Sequence, residues 1–329
     1  MTQDAQDDLD QVGIWTMALD AHPAGRVREA AAEIEELGYG ALWYGEAFGR
    51  DTVSQAWLLL SATQRLTVAS AIANITFRDP VAMATATRAL GEAHPGRYLL
   101  GLGGHRVDDT LHQLDGYPMP AVGRAVSSMT AYLAAMDAVP VHSLPAQPAP
   151  RRVLAALGPR MLALAAERTW GAHPYFVPVD HTRQARRIMG SAAFLAVEQA
   201  VVLDTDADRA RDLATAHVAG YVAMAAHHEA NVRRLGFDDA DLVGGPSRRL
   251  VDAIVAHGDV EVIRDRVREH LDAGANHVCV QVLTADPTAL PDREWRELAP
   301  ALVQRTPALT WPAPGEPRGS RSRRPAAGR

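Results

Sequence analysis

The sequence predicts an α/β protein folded as one closed (β/α)8 (TIM) barrel, and three observations support this fold class. Short apolar segments alternate with segments of helical spacing along the 329 residues. Eight such units fit into the chain, and apolar strands joined by helical crossovers indicate a parallel sheet covered on both faces. No Gly-x-Gly-x-x-Gly pattern leads from the first strand into a helix, which disfavours an open dinucleotide-binding sheet.

The eight strands are predicted at residues 12–18, 41–44, 66–75, 97–102, 152–157, 171–177, 194–203 and 277–283. Helices are predicted at residues 24–37, 54–63, 81–93, 107–114, 122–138, 159–168, 182–189, 206–235, 248–257, 260–273 and 293–304. Local signals support these boundaries. Gly38 directly follows the first helix and is a typical residue after a helix end. Pro80 opens the third, where its missing N–H costs nothing.

The barrel is expected to fill residues 12–311 as a single domain with insertions. A flexible acidic N-terminus at residues 1–11 precedes it, and a disordered Arg- and Pro-rich tail at residues 312–329 follows it. The chain is 47% hydrophobic and 22% charged, as in ordinary globular proteins. Its net charge of −6 indicates no nucleic-acid or membrane partner, and no apolar run reaches membrane-spanning length.

The residue types exclude several chemistries. All 33 basic residues are arginine, so lysine Schiff bases and P-loop lysines are excluded. The one cysteine, Cys279, lies in an apolar run, is expected to be a small buried side chain, and fits a reducing cytoplasm. His227 and His228 are adjacent, so on a helix they point apart, and no metal site is expected.

In a barrel, chemistry is found at the carboxyl ends of the strands, and this rule selects the candidate residues. The segment Leu157–Met161 joins a strand to a helix. Gly158 permits a close backbone approach, Pro159 lacks an N–H, and the free N–H groups behind it, aided by Arg160, form a candidate anion site. The alternative is an ordinary loop with proline at a helix start.

Other candidates also follow strands. The glycines up to Gly103 let a flat ligand approach the backbone, and His105 and Arg106 follow them as a possible acid, base or donor. Glu46 is either a buried acid with a role or a helix cap. Trp15 and His173 are either ligand contacts or core side chains.

Several segments resemble the bacterial luciferase-like monooxygenase superfamily: residues 12–16, 35–43, 71–75 with 78–80, and 96–103. Residues 153–166, 171–175 and 270–282 resemble its coenzyme F420-dependent branch, of an actinobacterial type. The resemblance implies a (β/α)8 barrel that binds F420 or FMN at its carboxyl-terminal mouth. It also implies a non-proline cis peptide at Ala71–Ile72, in a bulge that supports the ring. Such a bond costs about 3 kcal/mol and persists only where it is held.

The resemblance further implies that Asn74 contacts the polar edge of the ring and that backbone N–H groups at Gly158–Met161 hold the cofactor phosphate. The full set of expected cofactor contacts is Trp15, Ala71, Ile72, Asn74, Gly103, Gly158, Pro159, Arg160, Met161 and His173.

The resemblance implies an oxidoreductase that transfers a hydride between F420 and a small organic substrate, with Glu46, His105 and Arg106 as catalytic candidates. Sugar-phosphate enzymes of the superfamily carry Asp-His where this chain has Glu46-Ala47, and they use lysines, so a sugar phosphate is not expected. The alternatives are an FMN-dependent monooxygenase, a deazaflavin-binding protein without turnover, and a flavin-free barrel enzyme. A cytoplasmic homodimer is expected from the family.

Overall fold

A computed structural model describes residues 11–104 and 125–303, and within them one parallel sheet contains nine strands. Eight of the strands close into a barrel in the order β1-β2-β3-β4-β5-β6-β7-β9, with β9 paired to β1. The predicted (β/α)8 barrel is therefore confirmed. The strands are β1 Val12–Trp15, β2 Ala41–Gly45, β3 Thr67–Asn74, β4 Tyr98–Gly103, β5 Arg151–Leu154, β6 Gly171–Ala172, β7 Phe194–Leu203, β8 Val255–Gly258 and β9 His277–Val282.

Helices cover the outside of the barrel and bury their apolar faces against the strands. The first ends as predicted at Gly38, whose φ of 92° is left-handed and suits glycine. In chain order the α-helices are α1 Ala24–Leu37, α2 Thr52–Leu60, α3 Pro80–Ala93, α4 Ala125–Ala138, α5 Pro159–Arg168, α6 Val179–Met189, α7 Ala207–Met224, α8 Ala226–Arg234, α9 Asp239–Leu242, α10 Arg248–Ile254, α11 Val260–Asp272 and α12 Asp292–Leu302.

Three predicted elements differ from the structure. The helix predicted at 248–257 stops at Ile254, and the next four residues form β8. The reason is the length of β7, whose last four residues extend beyond its pairing with β6 and offer an edge that β8 covers. The helix predicted at 206–235 breaks at Ala225, which has an extended ψ of 88°. The strand predicted at 171–177 pairs only at its first two residues, and the chain then turns through Phe176.

The barrel interior is filled by aromatic side chains. In its middle Trp43 stacks on His173 with a centroid separation of 4.5 Å, and its Nε1 donates to His277 Nε2 at 3.0 Å. At the amino-terminal end Trp170 stacks on Phe194 at 3.8 Å, and a small cavity beside Arg151 opens there, away from the predicted site. In (β/α)8 barrels the chemistry is found at the carboxyl ends of the strands, which is the end opposite this cavity.

The end of β3 contains the predicted bulge. Its register with β4 shifts between Ser70 and Ala73, and the bulged backbone presses on β4. A Cβ at Gly101 would lie only 1.9 Å from the carbonyl oxygen of Ser70, so only glycine fits there. The Ile72 side chain lies over Gly103, where an added Cβ would be 2.9 Å from Ile72 Cγ2.

The prediction of a cis peptide at Ala71–Ile72 is wrong. Among the described residues the cis bond is Gln147–Pro148, and the Ala71–Ile72 bond is trans. The bulge makes the register shift at the end of β3 with trans peptides, so the strand needs no cis bond there.

Candidate active site at the barrel mouth

Four buried side chains of the barrel carry a polar atom that has no hydrogen-bond partner within the part of the chain that the structure describes. They are Trp15 Nε1, Asn74 Nδ2, His173 Nε2 and Glu198 Oε1. Each such atom costs about 1–3 kcal/mol if it stays unpaired. Trp15 and Asn74 are the last residues of β1 and β3, so a ligand or water at the carboxyl ends of these strands can supply their partners.

Asn74 has a fixed orientation. Its Oδ1 accepts from the N–H and the hydroxyl of Thr76, at 3.0 Å and 2.8 Å. Since the oxygen is occupied, the side-chain NH2 is the group left over, and it is a donor. Asn74 follows the β3 bulge directly, so a carbonyl edge of a ligand resting on the bulge fits this donor.

Glu46 is buried and fully hydrogen-bonded. Its carboxylate accepts from the Asn74 N–H at 2.8 Å, from the Thr52 N–H at 3.2 Å and from Arg78 at 3.0 Å. These bonds tie the ends of β2 and β3 to the start of α2. The geometry accounts for the residue as a support of the strand ends, and its role as an acid or base stays a prediction.

His173 lies deep in the barrel and is neutral. Burial lowers its pKa to about 3. The carbonyl of Ala196 lies 3.1 Å from Nδ1 and is an acceptor, so Nδ1 carries the proton and Nε2 presents a lone pair. Its ring stacks on Trp43. Whether it touches a cofactor stays a prediction.

An aromatic wall lines the mouth on the side of β1, β6 and β9. Trp15 packs on Tyr175 with a centroid separation of 4.9 Å. The Tyr175 hydroxyl is hydrogen-bonded to the Tyr221 hydroxyl at 2.7 Å and to Gln281 Oε1 at 2.8 Å. Phe176 stacks on Tyr221 at 5.1 Å and extends the wall. The wall brings the strand ends together with α7, which carries Tyr221.

Glu198 is the residue that sequence reasoning missed. It is 1% exposed on β7, and its Oε2 accepts the Phe176 N–H at 2.9 Å. Phe176 is the one non-glycine residue with a positive φ, 57°, among those described. Burial raises the pKa of Glu198 to about 8, so the carboxyl is protonated at neutral pH.

A signal for Glu198 was present in the sequence. Side chains alternate along a strand, and Ala196 and Ala200 belong to the cluster inside the barrel, so Glu198 between them also points inward. The neighbouring Gln199 points outward and donates to the Ile254 carbonyl at 2.9 Å. A carboxylate on the inner face of an apolar strand is the pattern to search for.

The predicted anion site begins at Gly158, the N-cap of α5. No side chain caps this helix, and Pro159 occupies its first turn. The N–H groups of Met161 and Leu162 both donate to the Gly158 carbonyl, each at 3.0 Å. The Arg160 N–H is therefore the group of this turn that is available to a ligand at the helix N-terminus. Arg160 itself is exposed. The Arg160 N–H and the helix dipole suit an anion at this end of α5.

Two catalytic candidates, His105 and Arg106, lie outside the described residues. Groups of three or more His, Cys, Asp or Glu side chains placed to hold a metal are absent from residues 11–104 and 125–303. Over the same ranges, every helix is too short or too polar to cross a membrane.

Comparison with known proteins gives a family and a fold. A family model for luciferase-like monooxygenases matches residues 8–277. A Mycobacterium tuberculosis protein named as a coenzyme F420-dependent oxidoreductase is 31% identical over 93 residues, which are 28% of this chain and 26% of that protein.

Two solved structures resemble the whole barrel. The F420-dependent tetrahydromethanopterin reductase of Methanopyrus kandleri has a TM-score of 0.68 at 15% identity, over 90% of this chain and 99% of that chain. The FMN-bound oxygenating constituent of 3,6-diketocamphane monooxygenase from Pseudomonas putida has a TM-score of 0.67 at 13% identity, over 90% and 97%. At these identities the likeness shows the fold.

Proposed function

The chain belongs to the luciferase-like monooxygenase family, and we propose that this oxidoreductase uses F420 to transfer a hydride to or from a small organic substrate. The observation that carries the proposal is the set of unpartnered buried polar atoms at the mouth of the barrel. Donors on β1 and β3 flank a bulge, which suits a flat ring with carbonyl oxygens at one edge. The match to the mycobacterial protein supports F420 over FMN.

The residues present fit such a cofactor. The ring would rest on Ala71 and Ile72, with Asn74 Nδ2 and Trp15 Nε1 as donors to its polar edge. The N-terminus of α5 at Gly158 would hold the phosphate. When bound, F420 supplies or accepts two electrons as a hydride at one ring carbon.

In the reaction the protein would position the substrate, exclude water and supply a proton. In a closed barrel of eight strands, β7 lies opposite β3, so Glu198 faces the bulge across the barrel. Because Oε2 accepts the Phe176 N–H, the proton of the neutral carboxyl belongs on Oε1. Glu198 would give this proton to the substrate and would take it back in the reverse direction.

The rival function is an FMN-dependent monooxygenase, since the similar camphane enzyme is bound to FMN. The two are separated by an anaerobic assay that follows the visible absorbance of F420. The oxidised cofactor is mixed with a panel of alcohols, and the reduced cofactor with carbonyl and conjugated alkene compounds. The proposal expects absorbance changes that need no oxygen. Turnover only with reduced FMN and oxygen would replace it with the rival.

Two expectations from the sequence are not tested by the described residues and stay predictions: the homodimer and the cytoplasmic location. Sedimentation velocity of the purified chain measures the first directly.

A further inference from the structure

Arg234, at the end of α8, lies against the N-terminus of α5. A Cβ placed on Gly158 would be 3.7 Å from Arg234 Nη2, and the guanidinium is the nearest group to that position. The two residues come from distant parts of the chain. Gly158 follows β5, and Arg234 lies in the long connection between β7 and β8. The break at Ala225 separates α8 from α7.

A second, buried polar side chain stands beside Arg234. Arg234 Nη2 donates to Asn231 Oδ1 at 2.9 Å, and Asn231 is only 1% exposed. Its Nδ2 has no partner among the residues that the structure describes. Since the amide oxygen faces the guanidinium, Asn231 orients Arg234 and offers a further donor, so the unpaired groups of this pair are all donors.

The charge of Arg234 is not neutralised by the described part of the protein. Its neighbour Arg233 pairs with Glu229 and Asp239, each at 2.8 Å. Arg234 has no such ion pair within residues 11–104 and 125–303, and its one described hydrogen bond is to Asn231. Burial lowers the pKa of His181, the Leu157 carbonyl at 2.8 Å from its ring raises it, and the positive charge of Arg234 lowers it. Arg234 thus adds positive charge near Leu157, which follows β5.

We propose that Arg234 and Asn231 bind the anionic tail of the cofactor at Gly158, so that α8 closes the phosphate site. This inference rests on the proposed function and adds residues that the strand-end rule does not select. The ligand class is a phosphate ester on a flavin-like ring. A guanidinium keeps four N–H donors after its bond to Asn231, enough to meet two phosphate oxygens. The Arg160 N–H at the start of α5 would donate to the same phosphate.

The test compares ligands that differ by the phosphate. Affinities are measured by fluorescence titration for F420 and its phosphate-free deazariboflavin core, and likewise for FMN and riboflavin. The variants are Arg234→Gln and the matched control Arg233→Gln, one residue earlier in the same helix. Arg234→Gln should weaken F420 binding by about 10- to 100-fold, the range for one lost hydrogen bond to a charged group. The core should change within about twofold, and Arg233→Gln should match wild type for every ligand.

The outcomes separate this inference from the proposed function. The binding of the phosphate by Arg234 and Asn231 is called the clamp below. If wild type binds F420 tightly and Arg234→Gln binds it equally well, the clamp is wrong and the proposed function stands. Equal loss for F420 and the core would also overturn the clamp, because the residue would then act on the fold. If wild type binds FMN more tightly than riboflavin and does not bind F420, the F420 function fails. The clamp then stands if Arg234→Gln weakens FMN binding and leaves riboflavin binding unchanged, and it is overturned if FMN binding is unchanged. If no phosphate-bearing ligand binds more tightly than its core, the clamp is overturned.

Discussion

Glu198 is the residue whose environment departs most from its usual one. An ordinary glutamate is charged at neutral pH, whereas this one is enclosed by the barrel and its neighbours Tyr175, Tyr221 and Cys279 carry no positive charge. The Phe176 N–H is the one group that favours the charged form. Keeping a proton available inside a dry site is what a general acid requires.

The stability of the protein should therefore depend on Glu198 in a predictable direction. The folded pKa is about 8 and the unfolded value is near 4.5, so the folded state holds a proton that the unfolded state releases. Stability is then lost as pH rises through this window. Glu198→Gln cannot ionise, and its advantage over wild type should grow by roughly 1.4 kcal/mol for each pH unit across the window.

Urea unfolding between pH 5 and pH 8.5 measures this difference. Glu167→Gln, at an exposed carboxyl on α5, is the control and should keep the wild-type slope. A constant difference between Glu198→Gln and wild type at all pH values would show that Glu198 is not protonated in the folded protein.

Gly101 tests the bulge at the level of one atom. A methyl group there would lie 1.9 Å from Ser70 O, which is backbone and cannot move aside without shifting β3. Gly101→Ala should lower the free energy of unfolding by about 1–3 kcal/mol and weaken cofactor binding, because the bulge supports the ring. Gly220→Ala, with nothing within 4 Å, is the control and should stabilise by up to about 1 kcal/mol. An unaffected Gly101→Ala would contradict the packing described for β3 and β4.

At the scale of elements, α5 allows folding and binding to be separated. Gly158 is its N-cap, and aspartate is a favourable N-cap residue, so Gly158→Asp should leave the melting temperature equal or slightly higher. The same carboxylate stands where the phosphate is proposed to bind, so F420 affinity should fall by about 100-fold or more.

Gly158→Asn provides the uncharged comparison for this prediction. It caps the helix similarly and should weaken binding much less than aspartate does. Equal F420 affinity for wild type and Gly158→Asp would contradict the proposed phosphate position at the start of α5.

Elements with strong local signals were predictable from the sequence. The predicted bounds of α1, α5 and β7 agree with the structure, because capping residues and apolar period define them locally. By contrast, β8 depends on the free edge of β7, and the break at Ala225 has no glycine or proline to announce it. Pairing partners far along the chain are not encoded in a local pattern.

The same division applies to the candidate site. The strand-end rule led to Trp15, Asn74 and Gly158, which the structure places at the mouth. It did not lead to Glu198, which lies in the middle of a strand, or to Arg234, which reaches the site from a helix that follows β7. Both depend on the closed barrel, which brings distant segments together.

At the scale of the whole molecule, the barrel brings together the three parts of the proposed site: Glu198, the bulge of β3 and the start of α5. β3 and β7 face each other, and β5 with α8 forms one side. The packed aromatic interior is centred on Trp43. In the proposed function, the substrate would lie between the cofactor ring and Glu198.

The most direct test is equilibrium binding of the purified full-length chain to F420 and, separately, to FMN, followed by ring fluorescence. The account predicts that F420 binds at micromolar or tighter affinity and that FMN binds far more weakly. Binding of FMN but not of F420 would contradict the F420 assignment and favour an FMN-dependent monooxygenase. Binding of neither ligand would contradict the assignment of the barrel mouth as a flavin-type site.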